Sequence, residues 1–241
     1  MDVPALLTAI AAIIAATAWP FALLVVLLVY RKPIGIAAIK IPMILDRVHS
    51  LKIGALEAEL DKVASVSAAS SEKGNVTSDQ ARAAARIESQ ASDLGPQELL
   101  KQLDRLSLEY DTIRNAMPSG YERTAAMTSV LIKMRALAPS TSFRIDTYKG
   151  SGSPGSRLAA IAMMQMEPDL GDLEWLEGRF RAENPFIFYH AALALKNMAT
   201  HADGQKLRSK ISAVAKSAKS VIENFEYGVP DPDTIEALSS I

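Results

Sequence analysis

The sequence predicts an all-α protein: a single N-terminal transmembrane helix followed by a cytosolic helical bundle. Three observations carry this. The run from Ala5 to Tyr30 contains no charged residue. Glycine and proline number only 12 each in 241 residues and fall mostly between helical patterns, so they mark boundaries. Alanine is abundant and alternating β-branched runs are scarce, so apolar residues recur at helical spacing and not at strand spacing.

The charge-free run is the anchor, residues 1–32. At about 1.5 Å per residue it would span roughly 39 Å, more than the roughly 30 Å hydrocarbon core of a bilayer. A helix inside a soluble domain keeps one wet face, and this run has none. Only Asp2 precedes it, whereas Arg31, Lys32, Lys40, Arg47 and Lys52 follow. Cations stay on the cytoplasmic side, which places the N-terminus outside and the remainder in the cytoplasm, at an inner or plasma membrane. Ala16-Thr17-Ala18 matches a signal-peptide cleavage site, but a signal peptide carries its cations before the apolar stretch. Pro20 beside Trp19 predicts a kink. Ala5 and Ala9, Ala11 and Ala15, and Ala12 and Ala16 repeat at four-residue spacing, which lets helices approach closely in lipid. Ala12, Ala16, Trp19 and Pro20 are therefore the candidate self-association residues of a homo-oligomer, with a pore as the sharper form and a plain alanine-rich anchor as the simpler one. The run holds no ionisable residue, which excludes a charged filter within it.

A juxtamembrane amphipathic connector follows at 33–64. Ile41, Ile44, Leu45 and Val48 recur at helical spacing with Pro42 in the first turn. Gly54 reads as a break after a short extended piece. Leu56, Leu60 and Val63 then resume a helix, with Glu57 and Glu59 facing water. The stretch LKIGALEAEL resembles the connector of many small bacterial single-span proteins. Its cations would sit near anionic headgroups. Residues 65–79 are small and polar without apolar period, and read as a linker.

Residues 80–153 form a helical region with a heptad seam. Thr77 with Gln80 makes a capping box. Beyond Gly95-Pro96, Leu99, Leu103, Leu106, Tyr110, Ile113 and Met117 repeat at heptad spacing. That seam serves either the core face of a bundle helix or a coiled coil between subunits. Ser119 and Glu122 read as a capping box for a helix to about Leu137, with Pro139 as its stop. In 154–241 one helix runs from Pro154 to about Met166. A second is capped by Asp169 and reaches about Ala182. A third starts at Asn184-Pro185 and ends near Thr200. A fourth is capped by Asp203 and reaches about Phe225, and an acidic tail follows.

Arg157-Leu-Ala-Ala-Ile-Ala-Met-Met is similar to Tyr189-His-Ala-Ala-Leu-Ala-Leu-Lys, 32 residues on. With Trp175, Leu176 and Phe180 between them, residues 154–224 resemble a short HEAT-type α-solenoid, so the bundle would end in HEAT-like helix pairs. The resemblance implies a scaffold that binds partners, including a soluble protein, and not a catalyst.

Net charge is −1, so the chain as a whole is not drawn to nucleic acid. It has no cysteine, which removes disulfides and thiolate chemistry. Gly150-Ser-Gly152-Ser-Pro-Gly155 matches G-x-G-x-x-G, but no strand or βαβ unit surrounds it. It reads as a loop ending at a helix start whose N–H groups, at Ser153, Gly155 and Ser156, suit an anion. His49, His190 and His201 show no metal-ligand spacing, and His190 reads as a hydrogen-bonded core histidine. Met163, Met164 and Met166 read as core. No nucleophile motif is present, so the expectation is no enzyme, no cofactor and no metal. Lys196, Lys206, Arg208, Lys210, Lys216 and Lys219 cover the wet side of a helix whose apolar face is Leu207, Ile211, Val214, Ala218 and Ile222. Lys206, Arg208 and Lys210 are either an ordinary solvated face or contacts for a nucleotide or oligonucleotide. The acidic residues Glu223, Glu226, Asp231, Asp233 and Glu236 would fold back to screen them.

The expected function is that of a membrane-anchored, self-associating effector or sensor whose cytosolic domain receives a signal and whose anchor transmits it. The alternative is a passive membrane-tethered helical-repeat adaptor for a soluble partner. The layout resembles membrane effectors of bacterial antiphage systems, which implies an anchor that opens a pore in defence.

Overall fold

The computed structural model describes residues 19–25, 28, 50–67, 74–224 and 231–241, and among them every regular element is helical. The chain forms two compact units, Met1–Lys52 and Ile53–Ile241. In the first, Trp19–Val25 is helical and its large apolar side chains are exposed, Trp19 at 74%. Most of the charge-free run, with Ala12 and Ala16, lies outside the described residues. Among the described residues no helix is long and apolar enough to cross a membrane.

Residues 50–67 are helical and are numbered α1. There follow α2 (Ser78–Leu94), α3 (Pro96–Ala116), α4 (Tyr121–Thr141), α5 (Ile145–Lys149), α6 (Pro154–Met166), α7 (Leu173–Ala182), α8 (Pro185–His201), α9 (Gln205–Glu223) and α10 (Pro232–Ser239). Single 3₁₀ turns at Ser142–Arg144 and Pro168–Leu170 separate α4 from α5 and α6 from α7.

The starts of several helices follow from local chemistry. Thr77 accepts from the Gln80 N–H at 3.2 Å, and Ser153 accepts from the Ser156 N–H at 3.2 Å. Asn184 accepts from the Ile187 N–H at 3.4 Å, with Pro185 in the first turn. Three expected starts move. Gly120 and not Ser119 precedes α4, with no side-chain cap, because the helix begins one residue later at Tyr121. Asp169 lies in the 3₁₀ turn that Pro168 initiates, and Asp172 caps α7 by accepting from Trp175 N–H at 3.0 Å. Gly204, with φ of 91°, takes the place expected of Asp203.

Pro139 does not stop α4. A proline this close to the C-terminus removes one backbone bond, and the surrounding residues Ala136, Leu137 and Ala138 are fully buried, so packing carries the helix to Thr141. Gly54 does not break α1 either. The helix is continuous, and Leu56, Leu60 and Val63 are buried. Glu57 and Glu59 face cations as well as water: Glu57 pairs with Arg105 of α3 at 2.6 Å and Glu59 with Arg86 of α2. Asp61 reaches Lys133 of α4 at 2.6 Å. From residue 53 the expected connector is therefore part of the helical unit.

The two middle helices order the core. α4 packs on α2, α3 and α6; α6 packs on α3, α4 and α8. Leu99, Leu103, Leu106 and Tyr110 of the heptad seam are buried within the chain, so this seam is a bundle face. Close approach is built into α6: a Cβ on Gly155 would lie 2.1 Å from the Ser107 carbonyl oxygen of α3, so only glycine fits. Met163 and Met164 are fully buried here. Further on, α6 packs against α8 and α7 against α9, as stacked helix pairs do, and α8 also meets α9; α6 and α7 scarcely touch. The acidic tail forms α10, which lies on α8 and α9 through buried Thr234, Ala237 and Leu238.

Candidate functional site

An arginine stands at the centre of this apolar core. Arg135 lies in Leu131-Ile-Lys-Met-Arg-Ala-Leu-Ala and is 1% exposed. No carboxylate pairs with it among the described residues. Neutral oxygens do. Its Nε donates to Gln165 Oε1 at 2.8 Å, Nη1 to Gln80 Oε1 at 3.1 Å and the Asn75 carbonyl at 3.3 Å, and Nη2 to the Gly74 carbonyl at 2.6 Å. A guanidinium has five N–H groups, so these four bonds leave one over. Burial pulls its pKa down to about 9, so it stays charged at neutral pH. The network ties four segments together, because Gln165 also donates to the His190 carbonyl of α8 at 2.7 Å, and Asn197 Nδ2 donates to the Gln165 carbonyl at 3.1 Å.

Directly beside this centre is a cleft of about 490 Å³. Its lining includes Gly74, whose carbonyl Arg135 holds, and Tyr189 and His190, whose titration Arg135 affects. One wall comes from the end of α3 and the start of α4: Arg114, Arg123, Thr124, Met127 and Thr128. The floor is the start of α8, Pro185, Phe186, Tyr189 and His190. The other wall is Asp231 and Asp233 at the start of α10. Gly74, with φ of 65°, lets the chain pass the Tyr189 ring, where a Cβ would sit 2.5 Å from a ring carbon.

Two buried polar atoms in this cleft lack a partner: Arg123 Nε and His190 Nδ1. Buried polar groups are nearly always hydrogen-bonded, and each exception costs about 1–3 kcal/mol. Arg123 has a single hydrogen bond, Nη1 to the Met117 carbonyl at 3.3 Å. His190 is 2% exposed, and burial first, then the Arg135 charge, holds its pKa well below the usual 6.5. It is a neutral imidazole at pH 7, in edge contact with Phe186 at 4.6 Å and Tyr189 at 5.1 Å. Burial, followed by the nearby Asp233 and Asp231, pushes Tyr189 up to about 12.

Other half-buried arginines are treated differently. Arg157 and Arg179 share the nearly inaccessible Glu183 carboxylate, Arg179 at 3.1 Å, and Arg179 also covers the Trp175 ring at 4.8 Å. A second groove of about 500 Å³ is lined by Asp104, Arg144, Tyr148 and Ser156, and there the Tyr148 hydroxyl donates to Asp104 at 2.8 Å. In the cleft on α8, Arg114 and Arg123 pair with no carboxylate among the described residues.

The residues singled out from sequence lie elsewhere. Ser153, Gly155 and Ser156 do form a helix start, but Asp111 of α3 occupies it. Asp111 accepts from the Gly155 N–H at 2.9 Å and from the Ser153 hydroxyl at 2.5 Å. Lys206 and Lys210 are exposed on α9, and Arg208 Nε donates to the Ala202 carbonyl at 3.2 Å, closing the end of α8. Of the acidic residues expected to screen the bases, Glu223 reaches Lys219 at 3.8 Å and Asp233 and Glu236 line a small pocket with Lys196, while Asp231 and Asp233 also line the cleft. His190 is buried as expected, yet its Nδ1 is not hydrogen-bonded. Trp19 and Pro20 lie in the exposed helical piece of the first unit. Sequence reading missed Arg135, Gln165, Arg114 and Arg123. No separate signal for the first is visible in the sequence: Lys133 stands two residues before it in the same apolar stretch and reaches Asp61, while Arg135 is enclosed. No protein-family model, curated protein or solved structure matches this chain.

Proposed function

We propose that this protein is a membrane-tethered, self-associating effector or sensor, in which the helical unit receives a small ligand in the α8 cleft and the N-terminal run transmits the event. One observation carries the receptor half: Arg123 and His190, each holding a buried nitrogen with no hydrogen-bond partner among the described residues, both line this cleft. A ligand with matching groups would satisfy both. The cleft supports binding over catalysis. The Thr124 and Thr128 hydroxyls donate to helix carbonyls at 3.2 and 2.8 Å, and no base activates either.

The anchor half rests on the charge-free run from Ala5 to Tyr30 with cations after it, which supports a single N-out span, self-contact through Ala12 and Ala16, and a permeable state of the bilayer. The α8–α9 contact with α6–α8 and α7–α9 stacking supports HEAT-like packing around the second pair alone, because α6 and α7 scarcely touch.

The test is dye release from liposomes holding the full chain. Release that disappears when residues 1–30 are removed, and is weakened by Ala12→Leu with Ala16→Leu, supports the reading. Membrane binding of the full chain with no change in permeability at any protein density overturns the effector role in favour of the passive adaptor. Recovery of the full chain in the soluble fraction overturns both.

A further inference from the structure

Resting on the receptor reading above, we infer that the α8 cleft takes an amino-bearing heteroaromatic phosphate, the chemistry of a nucleoside monophosphate. The lining carries charges of both signs together with three aromatic rings. Arg114 and Arg123 stand at the α3–α4 end, neither of them paired with a carboxylate among the described residues, and Asp231 and Asp233 stand at the start of α10. Phe186, Tyr189 and His190 present rings in edge contact.

Each part of such a ligand meets its complement. A phosphate matches guanidinium donors in geometry and charge, and would supply the partner that Arg123 Nε lacks. A planar base packs on the aromatic floor. An exocyclic amine donates to the acidic wall. His190, neutral through burial, offers a ring nitrogen to a heterocycle atom and adds no second cation. Simpler ligands fit worse. Free phosphate leaves the floor bare and meets two carboxylates. An apolar ligand leaves Arg123 Nε and His190 Nδ1 unpaired, which buried polar groups tolerate poorly. The volume, about 490 Å³, lies within the usual span of small-molecule sites.

The test is calorimetric titration of the full chain in detergent with adenosine 5′-monophosphate. Binding is expected, with adenosine, which lacks the phosphate, inosine 5′-monophosphate, which lacks the exocyclic amine, and inorganic phosphate, which lacks the entire base, each weaker by roughly 10-fold or more. Arg123→Gln should weaken binding by roughly 10- to 100-fold while the far-ultraviolet helix signal is unchanged. Lys206→Gln with Arg208→Gln and Lys210→Gln, on another face, should leave it unaltered. The inference is overturned if neither adenosine nor cytidine 5′-monophosphate binds the folded chain at about 1 mM, if Arg123→Gln binds like wild type, or if phosphate alone binds as tightly as the nucleotide. Titration reads the cleft and dye release reads the anchor, so nucleotide binding without release removes only the effector role, and release without binding removes only this ligand class.

Discussion

The start of α6 and the α3–α4 end of the cleft over α8 both present positive charge, and they differ in what stands against it. At α6 the chain provides its own anion. Gly155 brings α6 against α3, and that approach places Asp111 where its two oxygens take the Gly155 N–H and the Ser153 hydroxyl. A helix N-terminus carries roughly half a positive charge, and here a carboxylate from the same chain answers it. Over α8 the cations outnumber their answers. Arg114, Arg123 and Arg135 have no carboxylate partner among the described residues, and two buried nitrogens have no partner at all. The difference teaches which site the chain completes by itself: the start of α6 has its internal anion, and the α8 cleft is the one proposed to take a ligand.

Removing Arg135 should have the largest effect. Arg135→Ala strands Gln80, Gln165 and two backbone carbonyls in the interior, each worth about 1–3 kcal/mol when left unsatisfied, so a loss above about 3 kcal/mol is expected in urea unfolding. A loss below about 1 kcal/mol would mean that the network does not organise the core beneath the cleft.

Asp111→Ala tests the completed site directly. It should cost about 2–3 kcal/mol, the range for hydrogen bonds to a charged group, and phosphate should then stabilise the variant more than it stabilises wild type. Equal phosphate response in both would show that the α6 start does not depend on its internal anion.

His190 gives a pH signature. Its folded pKa is depressed, so below the ordinary 6.5 the unfolded chain takes up the proton first and stability falls as pH falls. The slope should approach about 1.4 kcal/mol per pH unit below pH 6.5. His190→Gln should remove that component while leaving the carboxylate contributions, and unfolding midpoints between pH 5 and pH 7 read the difference. Identical slopes would refute a neutral, buried imidazole.

The smallest effect belongs to α9. Changing Lys206, Arg208 and Lys210 to glutamine should alter stability by less than about 1 kcal/mol, since exposed charges contribute little. A larger loss would make this face a structural partner in its own right.

How much was legible depends on the range of the interaction. Caps at Thr77, Ser153 and Asn184 join residues three apart, so the sequence displays both partners. Where a helix could begin at either of two adjacent residues, as at Ser119 and Gly120 or Asp203 and Gly204, local chemistry placed the start wrongly by one. The seam from Leu99 to Tyr110 was visible as a stripe, but whether it faced the same chain or another copy was not.

By itself the sequence determined the all-helical class, most helix bounds and the buried stripes, because propensity, capping and apolar period act within one or two turns. Only the tertiary structure decided the sites. Asp111 meets Gly155 across 44 residues, Arg135 meets Gln165 across 30 and Gly74 across 61. Nothing in the local pattern distinguishes a lysine or arginine that reaches water from one that packing encloses.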